Sequence, residues 1–369
     1  MRLVTIRPGA GAAGTGHDAT GSDNRVAVVL DSGRLLPLGA LAELAPADLP
    51  NDIGRMDLVT ILAHDPDLGA VREALGLADA AALEAAALDP ATVRLAAPIP
   101  RPGKIIGVGY NYLDHIREQG LERPARPVLF SMFANAVTAD GQPIRHPAGT
   151  HALDLEAELA VVIGRRASRV AAADAARCVA GYTAANDVTA RDWQGQAKAL
   201  RAGEKGDGQW LRAKGSDTFL PLGPVLVTAD ELGDGRGLDV RSWLTAATGA
   251  DGVRSWRTAA TGPDANRPLQ MQDGNTSDLL FSVAELISLI SEEVTLEPGD
   301  VIVTGTPSGV GVFREPQVFL EPGDLVRVEV ERIGSLTNPI TDEEGRAPEG
   351  SPAALFLAER SGGEASAMA

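Results

Sequence analysis

The run DLEAELAVVIG (residues 154–164) sets Asp154, Glu156 and Glu158 at every second position and then turns almost wholly apolar. In a strand, side chains alternate between two faces, so all three carboxylates share one face. Like charges on one face of a half-buried strand repel one another and resist leaving water. Two arrangements relieve this: the acids face solvent on an edge strand, or a cation sits among them. Hard divalent cations such as Mg2+, Mn2+ and Ca2+ prefer carboxylate oxygens. A cation between Glu156 and Glu158 needs a third ligand from a neighbouring element, and Asp187 in GYTAANDVTARDWQ is the best candidate.

The rest of the chain is organised in zones. Residues 1–98 are rich in Ala, Leu and Asp. There RVAVVLDSGRLLPLG reads as two strands around a turn, and DLGAVREALGLADAAALEAAAL reads as helix. Three prolines in APIPRP forbid helix and mark a seam before KIIGVG enters a strand. From there to about 340 the pattern is strand-rich: AELAVVIG, LGPVLVT, DVIVTGTP and DLVRVEVERIG are short runs bounded by Gly, Pro and Asp. Helical candidates are fewer, chiefly AADAARCVAG and SVAELISLISEEV. The expected fold class is α+β, mainly β, with a small N-terminal α/β domain (1–98), a catalytic domain (99–340) and a C-terminal extension (341–369) whose end, GGEASAMA, is unstructured.

Composition narrows the function. A formal net charge of −17 repels phosphate backbones and disfavours a nucleic-acid partner. Cys178 is the sole cysteine, which leaves no cysteine cluster for zinc. The first residues lack an apolar signal-peptide core, and no uninterrupted apolar stretch is long enough to span a membrane. A cytoplasmic enzyme or binding protein is the expectation.

Three further motifs bear on chemistry. In GVGYNYLDHIREQG, Asn111 or Asp114 is placed to cap a short helix carrying His115 and Glu118. Their i, i+3 spacing puts them on one helix face, where the carboxylate orients the imidazole. DVIVTGTPSGVG ends a strand in a Gly-rich turn that offers backbone N–H groups to an anion, although it lacks the Lys-Ser or Lys-Thr of a nucleotide loop. Lys214, in LRAKGSDTFLPLGP, is a lone cation in a turn and by itself reads as solvated.

Together these blocks resemble the fumarylacetoacetate hydrolase superfamily, in its branch of acylpyruvate hydrolases and homoprotocatechuate-pathway hydratase/isomerases. The resemblance spans about Ala97 to Ile340 through RPGKIIGVGYNYLDH, DLEAELAVVIG, GYTAANDVTARDWQ, QDGNTSDLLFSVAEL, LEPGDVIVTGTPSGVG and FLEPGDLVRVEVERIGSL, in the family's order. It implies a mixed β-roll or barrel-like catalytic domain, usually a homodimer, with Mg2+ (or Mn2+ or Ca2+) held by Glu156, Glu158 and Asp187. It implies that His115 and Glu118 form a water-activating pair on a lid-like segment, and that Lys214 lies near the substrate carbonyl. Arg191, Gln194 and Thr306 match positions that contact a 2-oxo acid. Asp154 is not a ligand in that pattern, although it lies on the same face, and reads as a carboxylate that either supports the ligands from behind or is solvated, a bystander to the metal itself.

The expected activity is hydrolysis of a C–C bond in a 2,4-dioxo acid, with a lyase or isomerase of the same fold (hydratase, isomerase or oxaloacetate decarboxylase) as the alternative and a non-catalytic relative as a third reading. Three departures bear on substrate class: Met132 stands where the family often has lysine, the Trp193–Lys214 segment is long, and residues 241–267 form an unusual insertion carrying TAATG twice.

Overall fold

A computed structural model describes residues 1–7, 24–45, 47–247 and 267–366, with side chains described as far as residue 360. Most of the 241–267 insertion, including both TAATG copies in part or whole, lies outside these residues.

The main sheet has eleven strands, ordered β3 (Leu35–Pro37), β2 (Arg25–Val29), β1 (Arg2–Arg7), β13 (Leu220–Thr228), β11 (Val179–Asn186), β10 (Ala157–Ile163), β16 (Val301–Val303), β5 (Ile105–Gly109) and β6 (Val128–Met132). β4 (Arg94–Ala96) joins it beside β1, and β7 (Val137–Thr138) joins beside β13. A five-stranded sheet runs β15 (Leu269–Asn275), β14 (Asp239–Thr245), β17 (Leu325–Val330), β18 (Gly334–Thr341) and β8 (Ile144–Arg145). A short pair links β12 (Thr189–Ala190) to β9 (Leu153–Asp154). Most neighbours are antiparallel, but β16–β5, β13–β7 and β18–β8 are parallel, so the sheets are mixed. No closed barrel forms among the described residues.

The apolar half of the opening run explains itself by burial on both sides. Leu159, Val161 and Ile163 face a core shared with the five-stranded sheet and helix α9 (Val283–Ser291). Ala160 and Val162 face a second core, covered by α1 (Leu38–Leu44), α2 (Leu58–His64), α3 (Gly69–Leu77) and α4 (Ala80–Ala86). A strand sandwiched this way needs apolar residues at every position rather than at alternate ones. Because β1 pairs with β13, the N-terminal strands extend the same sheet that carries the acids.

Local chemistry sets several element ends. The helical stretch expected as one segment is two, because the Asp79 side chain accepts the Ala82 N–H at 3.0 Å and starts α4 afresh. Ser282 and Glu285 form a reciprocal capping box that begins α9. AADAARCVAG, expected as α-helix, is a 3-10 turn over Ala172–Cys178 that passes directly into β11. Short helices α5 (Leu113–Glu118), α6 (Arg191–Gln194), α7 (Trp210–Lys214) and α8 (Ala229–Leu232) punctuate the loops, and the first three carry residues of the site. Helix α10 (Pro352–Ser366) runs into the stretch read as an unstructured end.

Candidate active site

The strand carrying the acids is interrupted where they lie. β9 ends at Asp154, β10 begins at Ala157, and Leu155 and Glu156 between them belong to no ladder. Side chains take over the backbone pairing there: Asn186 Oδ1 accepts from the Glu156 N–H at 3.0 Å, and Gln272 Oε1 accepts from the Ala157 N–H at 2.9 Å. β10 pairs with β11 so that Ala157 faces Asn186, and the Asp187 N–H then donates to the Glu156 carbonyl at 2.9 Å. Register therefore delivers Asp187 to Glu156. Oxygens of Glu156, Glu158 and Asp187 lie within 4.8 Å of one another, all three side chains buried.

Lys214 corrects the solvated reading: it is 2% exposed. Its Nζ donates to Glu156 Oε2 at 2.8 Å, Asp187 Oδ2 at 2.7 Å and Thr189 Oγ1 at 2.8 Å. Arg191 flanks the other side, with Nη1 at 2.6 Å from Glu156 Oε1 and Nε donating to Asp154 Oδ2 at 2.9 Å. Asp154 is thus the buried partner of Arg191 rather than a solvated carboxylate. Fully buried, it also accepts the N–H groups of Gly311 at 2.8 Å and Val312 at 3.0 Å.

The Gly-rich turn does bind anions, and they are the protein's own. Gly305 N–H donates to Glu158 Oε2 at 2.6 Å, and Gly309 N–H to Glu118 Oε1 at 3.0 Å. Ser308 N–H and Oγ donate to Asp114 Oδ2 at 3.1 and 2.7 Å. Gly309 is required there: at φ +102° a Cβ would lie 2.2 Å from the Met271 carbonyl oxygen. Helix α5 is thereby fastened to the turn by Asp114 and Glu118. Neither expected cap is made at its start, because Asn111 instead bridges the Phe281 and Thr304 backbone. His115 Nδ1 meets Glu118 Oε2 at 2.8 Å.

Burial and charge set the protonation states. Burial opposes ionisation of Glu156, yet Lys214 and Arg191 together hold its carboxyl down to about 2. Asp187 has only the ammonium in contact, and burial pushes it up to about 6. Burial, then Asp187 and Glu156, drive Glu158 well above the usual carboxylate range. Burial works against the charge of Arg191 and Lys214, but the facing carboxylates raise both.

This donor set fits a divalent cation. Asp187 Oδ1 is buried without a hydrogen-bond partner. Four buried carboxylates (Asp154, Glu156, Glu158, Asp187) face two buried cations (Lys214, Arg191), and the two missing positive charges are those of one divalent ion. All-oxygen ligation suits Mg2+, Mn2+ or Ca2+.

A cavity of about 360 Å³ opens onto Glu156, Glu158, Lys214, Arg191 and His115, and Gln194 and Thr306 also line it. The Thr306 hydroxyl is engaged with the Ala157 carbonyl at 2.9 Å and Gln272 Nε2 at 2.7 Å. Met132 does not line this cavity. It is 2% exposed in the core beneath the N-terminal helices, and Phe130, two positions earlier on β6, faces the site instead. Two glycines of β5 make room for the aromatic wall. A Cβ at Gly107 would lie 2.1 Å from the Phe130 ring, and one at Gly109 would lie 3.4 Å from Trp210.

Residues 104–341 match the family model described as fumarylacetoacetate (FAA) hydrolase C-terminal. A curated protein of Xenopus laevis, "Oxaloacetate tautomerase fahd2, mitochondrial", is 40% identical over 293 residues, covering 77% of this chain and 82% of that protein. The Homo sapiens "Oxaloacetate tautomerase FAHD2A, mitochondrial" is 40% identical over 248 residues, covering 67% and 69%. Among solved structures, a putative HpcE protein of Mycobacterium smegmatis aligns with TM-score 0.67 at 29% identity over 93% of this chain and 99% of that one. A 5-carboxymethyl-2-hydroxymuconate delta-isomerase of the same organism aligns with TM-score 0.60 at 31% identity over 93% and 99%. With the family model, the sequence identity to the relatives and the architecture in agreement over most of its length, this chain belongs to the fumarylacetoacetate hydrolase family.

Proposed function

We propose that this chain is a metal-dependent enzyme that interconverts the keto and enol forms of a short 2-oxo acid. The observation that carries the reading is the buried triad Glu156, Glu158 and Asp187, of which Glu156 and Glu158 line the same cavity as His115 and Arg191. The names of the relatives, tautomerases and an isomerase, support proton transfer over the C–C hydrolysis expected from the sequence.

Glu156, Glu158 and Asp187 would hold the cation, and a bound divalent ion supplies Lewis acidity that stabilises negative charge on a 2-oxo oxygen. Arg191 keeps one buried guanidinium nitrogen, Nη2, without a partner, a donor available to the substrate carboxylate. Glu118 accepts from His115 Nδ1, which fixes the proton on that nitrogen and leaves Nε2 as the base. His115 Nε2 takes a proton from the carbon beside the ketone, and a proton returned to oxygen completes the enol. The C–H bond breaks, the π bond moves from C=O to C=C and an O–H bond forms, so no carbon–carbon bond is cleaved and no water is consumed. Glu118, held by Gly309, stabilises the transient imidazolium.

The same His115–Glu118 pair is suited to activating water, so hydrolysis of a 2,4-dioxo acid is the second reading. Following enol oxaloacetate by ultraviolet absorbance with Mg2+ present separates the two. Accelerated ketonisation that stops on chelation supports the first. Release of a free acid from acylpyruvates, without any tautomerase activity, would falsify it.

A homodimer belongs to this reading. It is supported by the outer edge strand β6, where Leu129 is exposed and the neighbouring Phe133 is more so. The relatives' names carry a mitochondrial address, against the cytoplasmic placement expected from the sequence. Among the described residues no helix is long and apolar enough to cross a membrane.

A further inference from the structure

The cavity has two chemically distinct parts. Its inner part is fully buried and holds the carboxylates with Lys214 and Arg191. Its outer part is half-buried and is lined by Gln119, Gln196 and Trp210.

Gln119 follows Glu118 directly and caps α5, its N–H bonded to the His115 carbonyl at 3.2 Å. Gln196 lies just past α6, its N–H bonded to the Arg191 carbonyl at 2.9 Å. Backbone bonds thus fix both residues, yet among the described residues neither side-chain amide has a hydrogen-bond partner. Gln194 differs, since its Oε1 lies 3.4 Å from Arg191 Nη1. A half-buried amide facing a cavity loses its water when a ligand enters, so a good ligand must offer oxygen acceptors there.

The available charge is settled elsewhere. Lys214 and Arg191 are the cationic side chains lining the cavity other than histidine, and both are tied to Asp154, Glu156 or Asp187. Trp210 stands edge-on to Tyr110 at 6.3 Å and tilted to Phe130 at 5.3 Å between ring centres, so the aromatic part of the lining is apolar and brings no charge.

We propose that Gln119 and Gln196 are specificity-determining residues that receive a second carboxylate, at the far end of a short dicarboxylic 2-oxo acid, through neutral amide N–H donors against the Trp210 wall. This rests on the reading of the inner cavity as a 2-oxo acid site. Two amides offer donors to the two oxygens of a carboxylate without adding charge to a cluster that the cation already balances.

Gln119→Glu and Gln196→Glu change shape little and turn each donor into a repelling anion. In each variant KM for oxaloacetate should rise about tenfold or more with Mg2+ present. Oxalate, which carries the two adjacent carboxylates but no far end, should bind by calorimetry within about twofold of the parent protein. An unchanged KM for oxaloacetate in both variants, or oxalate weakened as much as oxaloacetate, would overturn the assignment. Failure of the underlying reading looks different: the parent protein itself would bind no oxalate in Mg2+.

Discussion

Asp154 Oδ2 accepts a hydrogen bond from Arg191 Nε at 2.9 Å, and neither side chain is more than 3% exposed. The bond joins three parts of the chain, because the same carboxylate holds the N–H groups of Gly311 and Val312. Arg191 is thereby aimed so that Nη1 meets Glu156 and Nη2 stays free. Aim of this kind matters for a 2-oxo acid, whose carboxylate must be met before its ketone can be placed.

Asp154→Asn tests that linkage. Asparagine keeps the volume but removes the charge, leaving a buried guanidinium against a neutral amide. Breaking a buried ion pair from one side costs about 3–5 kcal/mol, so denaturant unfolding should shift by that order. KM for the 2-oxo acid should rise more than kcat falls, since the chemistry at His115 is untouched. Wild-type stability in this variant would show that Asp154 carries little.

Glu118→Gln probes the imidazole's partner. The amide oxygen is still able to accept the Gly309 N–H, so α5 should stay in place. The carboxylate that holds the proton on Nδ1 and stabilises the imidazolium is replaced by an amide whose NH2 faces that nitrogen, so kcat should fall by about 10²–10³ with KM little changed. A fall in kcat of less than about threefold, measured at saturating Mg2+, would remove Glu118 from the mechanism.

Acid–base linkage in the triad gives the effect of Mg2+ on stability a definite sign. Asp187 is raised to about 6 and Glu158 is raised above the carboxylate range. For raised groups the folded metal-free protein is favoured at low pH and loses that stability as pH rises through the folded pKa. Glu156, held at about 2, has the opposite sign, but its window lies well below that of Asp187. Mg2+ must displace the protons, so its thermal shift should be larger near pH 7.5 than near pH 5.5. Scanning calorimetry at both values checks this, and a shift that grows on acidification contradicts it.

Much of this site was legible because it lies in short, contiguous chemistry. Period-two acids, an i, i+3 His–Glu pair and an Asn-Asp after a strand survive any register of the fold. What the sequence hid depends on closure between distant segments. Asp154 meets Gly311 across 157 positions, and Glu158 meets Gly305 across 147. The Gly-rich turn could be read as an anion binder, but which anions it binds is decided by sheet order. Lys214 looked solvated because the carboxylates that draw it inward, Glu156 and Asp187, lie 58 and 27 positions away. The helix break before Asp79 was readable from its capping residue, yet uniform helix formers on both sides masked it.

The glycines beneath the aromatic wall offer a paired comparison. Gly107→Ala puts a methyl 2.1 Å from the Phe130 ring, which must move. Gly109→Ala makes ordinary-to-tight contact with Trp210 at 3.4 Å. The first should cost about 1–3 kcal/mol by overpacking and the second less than about 1. Equal costs, by urea unfolding, would mean that the Phe130 ring is free to leave the strand.

Lys214→Met separates the two jobs of the buried ammonium. Without metal, Lys214 is the one cation in hydrogen-bond contact with Asp187, whereas Glu156 also has Arg191. Methionine fills the space but leaves Asp187 buried beside Glu156 and Glu158 with no cation in hydrogen-bond contact among the described residues, Arg191 being engaged by Glu156 and Asp154. The metal-free variant should lose about 3–5 kcal/mol, less whatever Asp187 recovers by taking up a proton. Mg2+ would then supply the missing charge, so its stabilising increment should exceed that of the parent protein. If the ammonium instead served only the substrate, metal-free stability and the Mg2+ increment would both match the parent, and kcat alone would fall. Measuring unfolding with chelator and with saturating Mg2+ on both proteins distinguishes these cases, because a charge-balancing lysine and a purely substrate-facing one give opposite answers in the metal-free arm.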